Sequence, residues 1–173
     1  MSNISLSQIV VPTFTKGLKT LDHIITRAEQ HAQERGLDPN VEYPNARLID
    51  DMNPFTFQIQ NATTAVRKTL SRLIGEDIEA WNDDERTIAD LHKRIALALT
   101  LLGSVDHKRI DDRADELVDL PFGNKVLKLS ARDTALNQGL PNFFFHLQTA
   151  YAILRAKGVP IGKGDYLSNF LVE

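Results

Sequence analysis

Cysteine is absent from all 173 residues, which removes disulfides, thiolate nucleophiles and every zinc or iron–sulfur site that depends on sulfur ligands. Any metal would have to be held by His, Asp, Glu or amide oxygen. Basic charge is not in excess either. The 20 Lys and Arg residues are scattered among 23 acids for a net charge of −3, leaving no stripe for a phosphate backbone. No apolar run approaches about 18 residues, and the opening MSNISLSQIVVPTF lacks the basic start, apolar centre and small-residue cleavage site of a secretory leader. We therefore expect a cytoplasmic protein with neither membrane nor nucleic acid among its partners. Gly-x-Ser-x-Gly is missing too, so covalent acyl transfer has no advertised nucleophile. No internal repeat or low-complexity segment is visible.

What is present is helical periodicity. The length predicts one domain over residues 1–173, large enough to bury roughly 70% of its unfolded surface without metals or disulfides. Phe14, Leu18, Leu21, Ile25, Ala28 and Ala32 alternate spacings of four and three, a seam that Gly36 ends. The helix body reads as Thr13–Arg35, with Pro12 at its first turn or bending it. A crossing loop over Asp38–Asp51 leads to a second helix at Asn53-Pro54, Asn as N-cap and Pro at the first position, with the seam Phe55, Ile59, Ala62, Val66, Thr69, Leu73. A third follows the acidic cluster Asn82–Glu85, with Trp81 positioned to staple its start, and carries Ile88, Leu91, Ile95, Ala98 and Leu102. Leu117–Leu120 and Val126–Leu129, around Pro121–Asn124, read as a small hairpin over one end of the bundle. A fourth helix carries Leu140, Phe144, Leu147, Tyr151 and Leu154 and stops at Lys157-Gly158; Pro141 marks its start or a kink in a longer helix from near Ala131. The expectation is all-α: a four-helix bundle plus a β-hairpin.

The stretch Asn142–Asp165, NFFFHLQTAYAILRAKGVPIGKGD, concentrates the chemistry. Asn142 and His146 lie one turn apart on one helix face and can grip the same ligand. Phe143, Phe144 and Phe145 sweep roughly 200° of that helix, which implies burial on more than one side. The tail Gly158–Gly164 is no phosphate loop. It has three residues where four are needed before Gly-Lys, continues with Gly-Asp, and follows a helix, so it reads as a C-cap and an anchored tail whose Leu167, Phe170 and Leu171 pack on the bundle or on a second subunit.

With these blocks assembled, the chain resembles, over nearly its full length, a bundle family of unknown function grouped with the DinB-like and YfiT-like metal-dependent enzymes. The resemblance rests on Phe14-x2-Gly17-Leu18, on Asn45–Leu48 with Asp51-Met52-x-Pro54-Phe55-x2-Gln58, and on Leu140–Phe143 with Phe145-His146-x2-Thr149–Tyr151 followed by Gly158-Val159-Pro160-x-Gly162. It implies an up-down-down-up bundle with a long crossover, often dimeric in the broader group, so a homodimer is expected. The broader group also holds a divalent metal with one histidine on the second helix and an His-x3-His pair on the fourth. Here that pair is Asn142-x3-His146, and the second helix offers Asp51 and Gln58. The site reads as degenerate, with no resident cofactor expected and His146 as the one good donor for any divalent metal.

Two functional readings remain. In the first, an interhelical pocket binds a small molecule, with His146 as general base or hydrogen-bond donor, Asn142, Gln58 and Asp51 orienting the ligand, and Phe143 or Phe144 as apolar walls. In the second, the same groups satisfy one another inside a packed, non-catalytic dimeric module, Asp51 capping the second helix. Of the other histidines, His23 should face solvent, His31 and His92 border their seams, and His107 falls in the charged connection Asp106–Asp112; the pairs Asp50-Asp51 and Asp111-Asp112 read as solvated loop charge.

Overall fold

A computed structural model describes residues 4–171. Helix α1 spans Leu6–Glu34, beginning two turns before the expected body, because Ser5 and Gln8 form a reciprocal capping box. Asp111 adds to this cap by accepting from the Ser7 backbone N–H at 2.8 Å and its hydroxyl at 2.9 Å, so it is not simply solvated loop charge. Pro12 consequently lies inside the helix, where its missing N–H leaves the Gln8 carbonyl without its intrahelical donor.

The crossing that follows contains one short turn, α2 (Pro39–Glu42), and buries Tyr43. Helix α3 covers Phe55–Ile74 and ends at Gly75, whose φ of +69° suits glycine. Its cap residue is Pro54, with no side-chain cap bond, rather than Asn53. Helix α4 covers Ile88–Ser104 and is capped by a Thr87–Asp90 box. The acidic cluster expected at this end serves another group, described below. After α5 (His107–Asp112), strands β1 (Leu117–Phe122) and β2 (Lys125–Ser130) form an antiparallel hairpin with Leu120 opposite Leu127.

The final bundle helix resolves the ambiguity at Pro141. Helical structure starts at Ala131 (α6, Ala131–Thr134), widens into a π-helical turn over Ala135–Gly139, and continues as α7 (Leu140–Ala156). A π turn suits this position, since Pro141 has no N–H to give the preceding turn and its ring would crowd the carbonyl four residues back. Gly139 lets the turn press against α3, where a Cβ would lie 2.4 Å from Thr69 Oγ1.

Helix α1 packs against α4 and α7, as does α3, which closes a four-helix ring around a contiguous apolar core. Every expected seam residue of α1, α3 and α4 is buried. On α7 the buried set is Phe143, His146, Leu147, Thr149, Ala150, Ile153 and Leu154, one residue out of phase with the expected seam at Phe144 and Tyr151. A further helix, α8 (Lys163–Leu171), is the reason: Phe144 meets Phe170 at 6.0 Å and Tyr151 meets Tyr166 at 5.6 Å, so α7 is apolar on two sides. α8 is tied to α1 through Lys16 to the Phe170 carbonyl and His23 Nε2 to Asp165, which takes His23 out of the free solvent position expected for it. Of the expected tail contacts Phe170 packs on the core, whereas Leu171 is exposed.

Candidate functional site

Gln58 on α3 and His146 on α7 meet across the helix pair. The Gln58 Nε2 donates to the Asn53 carbonyl at 2.9 Å, which turns its Oε1 towards His146 Nδ1, also at 2.9 Å. A carbonyl only accepts, so this chain fixes the amide orientation, and the histidine must then donate from Nδ1. Burial pushes the His146 pKa below the ordinary histidine range, favouring the neutral ring. The result is an imidazole with its proton on Nδ1 and a lone pair on Nε2, which makes no hydrogen bond among the described residues. Phe57 and Phe145 present T-shaped contacts to the ring at 6.1 and 5.3 Å and restrict its orientation.

Asn142, one turn earlier on the same face, is turned into a cleft of about 170 Å³ between α3 and the π turn. Asn61, Thr64, Lys68 and Arg72 line its α3 wall, Gln138 joins Asn142 on the other, and Leu120 and Pro121 of the hairpin close one end. Gln138 reaches the cleft because the π turn carries it, a placement common where helices build functional sites.

The remaining candidates are dispersed. Phe143 is fully buried on the opposite side, against Phe14 at 5.2 Å and over Gly17, where a Cβ would lie 2.3 Å from its ring. Phe144 faces α8. Asp51 is exposed in the crossing and makes no hydrogen bond among the described residues, and it caps no helix. The structure thus unites Gln58 with His146, sets Asn142 in an adjacent cleft, and separates Asp51, Phe143 and Phe144 from both.

Sequence reasoning missed Arg94. Its side chain is 1% exposed on α4, donating to Thr63 and Thr64 hydroxyls, the Asn82 carbonyl, Asp83 and Glu85, while its guanidinium lies 5.1 Å from the Trp81 ring centre. Gln60 donates to the other Glu85 oxygen at 2.8 Å. The cluster Asn82–Glu85 therefore binds a buried cation, where a helix-capping role was expected. The signal was available: Arg94 lies three residues after Leu91 and four before Ala98, on the buried face.

Residues 6–167 match the family described as "domain of unknown function (DUF1993)". The chain belongs to that family. It is also similar to the crystal structure of a DinB family member protein from Shewanella denitrificans, with a TM-score of 0.84 and 34% identity over 94% of this chain and 91% of that one. No curated protein matches it. The DinB-like bundle expected from the sequence is therefore the fold of this DUF1993 member.

The metal site of the broader DinB-like group can be tested against these donors. At the positions concerned stand Asn142, His146 and Gln58; the His146 Nδ1 and Gln58 Oε1 are engaged with each other, and the cleft at Asn142 carries Lys68 and Arg72. Amides coordinate transition metals weakly, and two cations oppose a third. Among the described residues no group of three His, Asp or Glu is close enough to hold an ion. The donor set does not fit a divalent metal.

Proposed function

We propose that this DUF1993 protein binds a small polar molecule in the α3–α7 cleft, with Asn142 orienting the ligand and His146, pinned by Gln58, acting from Nε2 as hydrogen-bond acceptor or general base. One observation carries the reading: Asn142 and Gln138 face the cleft without a hydrogen bond to any described residue. Their amide donors and acceptors are thus open to a ligand and not committed within the fold. A neutral imidazole with a free lone pair is the state that proton abstraction requires. The rival, a non-catalytic dimeric module, draws support from the Gln58–His146 bond, which satisfies two groups internally.

Screening a metabolite library by protein-observed NMR separates them. The expected outcome is a ligand that shifts the Asn142 side-chain amide, is lost in Asn142→Leu and is weakened in His146→Gln. If no compound shifts Asn142 while His146→Ala lowers thermal stability, the protein is the packed module.

A further inference from the structure

Helix α3 places two cations, Lys68 and Arg72, one turn apart on the wall of the Asn142 cleft. Like charges at this spacing oppose the helix by about 0.2–0.5 kcal/mol, and acidic partners normally offset them. Here no carboxylate lines the cleft, and neither cation makes an ion pair or hydrogen bond among the described residues. Four other arginines, Arg94, Arg109, Arg113 and Arg132, each meet an acid within 3 Å, and Arg67, Arg86 and Arg155 donate to backbone carbonyls; Arg72 does neither among the described residues. Arg72 is also half-buried, so its guanidinium has given up part of its water without gaining a protein partner. Burial lowers its pKa, with no opposing charge to restore it. Around these cations stand neutral groups that donate: the Gln138 and Asn142 amides, and the Thr64 hydroxyl, whose oxygen accepts from Arg94 and whose proton is free. This is an anion's set of donors, gathered where the π turn opens the helix.

We propose that the cleft is an oxyanion subsite, which holds the phosphate or carboxylate group of a small metabolite on Arg72 and Lys68, with Thr64, Gln138 and Asn142 completing the donor shell. The proposal rests on the α3–α7 ligand-binding reading and adds the ligand's chemical class. A cavity of about 170 Å³ is well below the roughly 300 Å³ of ordinary ligand pockets, so the anionic group and a short attached chain fill it. The planar fork of Arg72 fits two oxygens of either group; Lys68, exposed on the rim, adds a mobile charge.

The test is an NMR titration of the full chain with inorganic phosphate and with succinate, against sodium chloride at matched ionic strength. Expected are saturable shifts of the Arg72 Nε–H and of the Gln138 and Asn142 side-chain amides. Phosphate alone, succinate alone, or both identifies which source the subsite accepts. Arg72→Gln should weaken binding roughly tenfold or more and Arg72→Lys less, with Lys68→Gln a few-fold. Since both positions lie towards the surface of α3, circular dichroism will verify that the fold is retained. Equal shifts with chloride, or binding unchanged in Arg72→Gln, overturn the proposal. A neutral library compound bound at Asn142 and indifferent to Arg72 overturns it too while leaving the ligand-binding reading intact; no ligand of any kind at Asn142 sinks both.

Discussion

At the scale of single residues, burial and pairing decide more than identity does. Arg94 is the clearest instance. A guanidinium almost sealed from water is tolerated because acceptors surround it, and three of those acceptors, on Asn82, Asp83 and Glu85, come from the irregular stretch before α4, so one side chain fixes a loop to the bundle. Arg94→Met is expected to cost about 3–5 kcal/mol in chemical denaturation, because Glu85 would be left buried beside only Gln60. Hydrogen exchange over residues 80–87 should accelerate beyond that of the α1 core. An unchanged midpoint would show that the network is not structural. His146 was legible as a residue that must be satisfied or functional, but not its tautomer. That depended on the Asn53 carbonyl, whose backbone contribution has no signature in residue type.

At the scale of elements, α1 and α4 are clasped by His92, whose Nδ1 and Nε2 lie 2.5 and 3.1 Å from Asp22 and Glu29. Two acceptors on one ring call for two protons, and the Asp22 bond, with Glu29 adding to it, outweighs burial and raises the His92 pKa. A raised folded-state value means that the clasp stabilises fully below the unfolded histidine pKa and is lost as pH rises through the folded one. His146 has the opposite sign: its lowered value stabilises above the unfolded pKa and is lost as pH falls through the folded one. His92→Gln should therefore destabilise by on the order of 1 kcal/mol near pH 5 and much less near pH 8, read by urea denaturation at both. Equal losses at both pH values would refute the charged clasp. The helices themselves were plain in the sequence wherever one face is buried, as for α3 and α4. On α7 the phase slipped by a residue, since a helix apolar on two flanks has no single stripe to read.

For the whole molecule, α8 is the addition that a four-seam reading does not contain. Lys163–Leu171 has no buried residue of its own, and its Tyr166 and Phe170 gain only partial cover, so its sequence signal is weak. Its effect is on others: it covers Phe144 and Tyr151 and, through α1, accepts from Lys16 and Thr20. Ending the chain after Gly162 should leave far-ultraviolet circular dichroism nearly intact, lower stability by about 2–4 kcal/mol, and raise binding of an apolar dye at the uncovered aromatics. A truncated chain as stable as the full one would show that α8 is not part of the packed unit. Among the described residues no helix is long and apolar enough to cross a membrane.

The sequence by itself determined the all-α bundle, the positions of three helix seams and the hairpin, because these follow from local periodicity and turn chemistry. Only the tertiary structure decided which polar residues share a site. Gln58 and His146 lie 88 positions apart and bond directly, with the Asn53 carbonyl fixing the Gln58 amide, Asn142 leaves them for a cleft opened by a π turn, and Phe143 turns to α1 because Gly17 makes room for its ring. Such choices depend on the phase and spacing of packed helices, which neither one helix's pattern nor its composition contains.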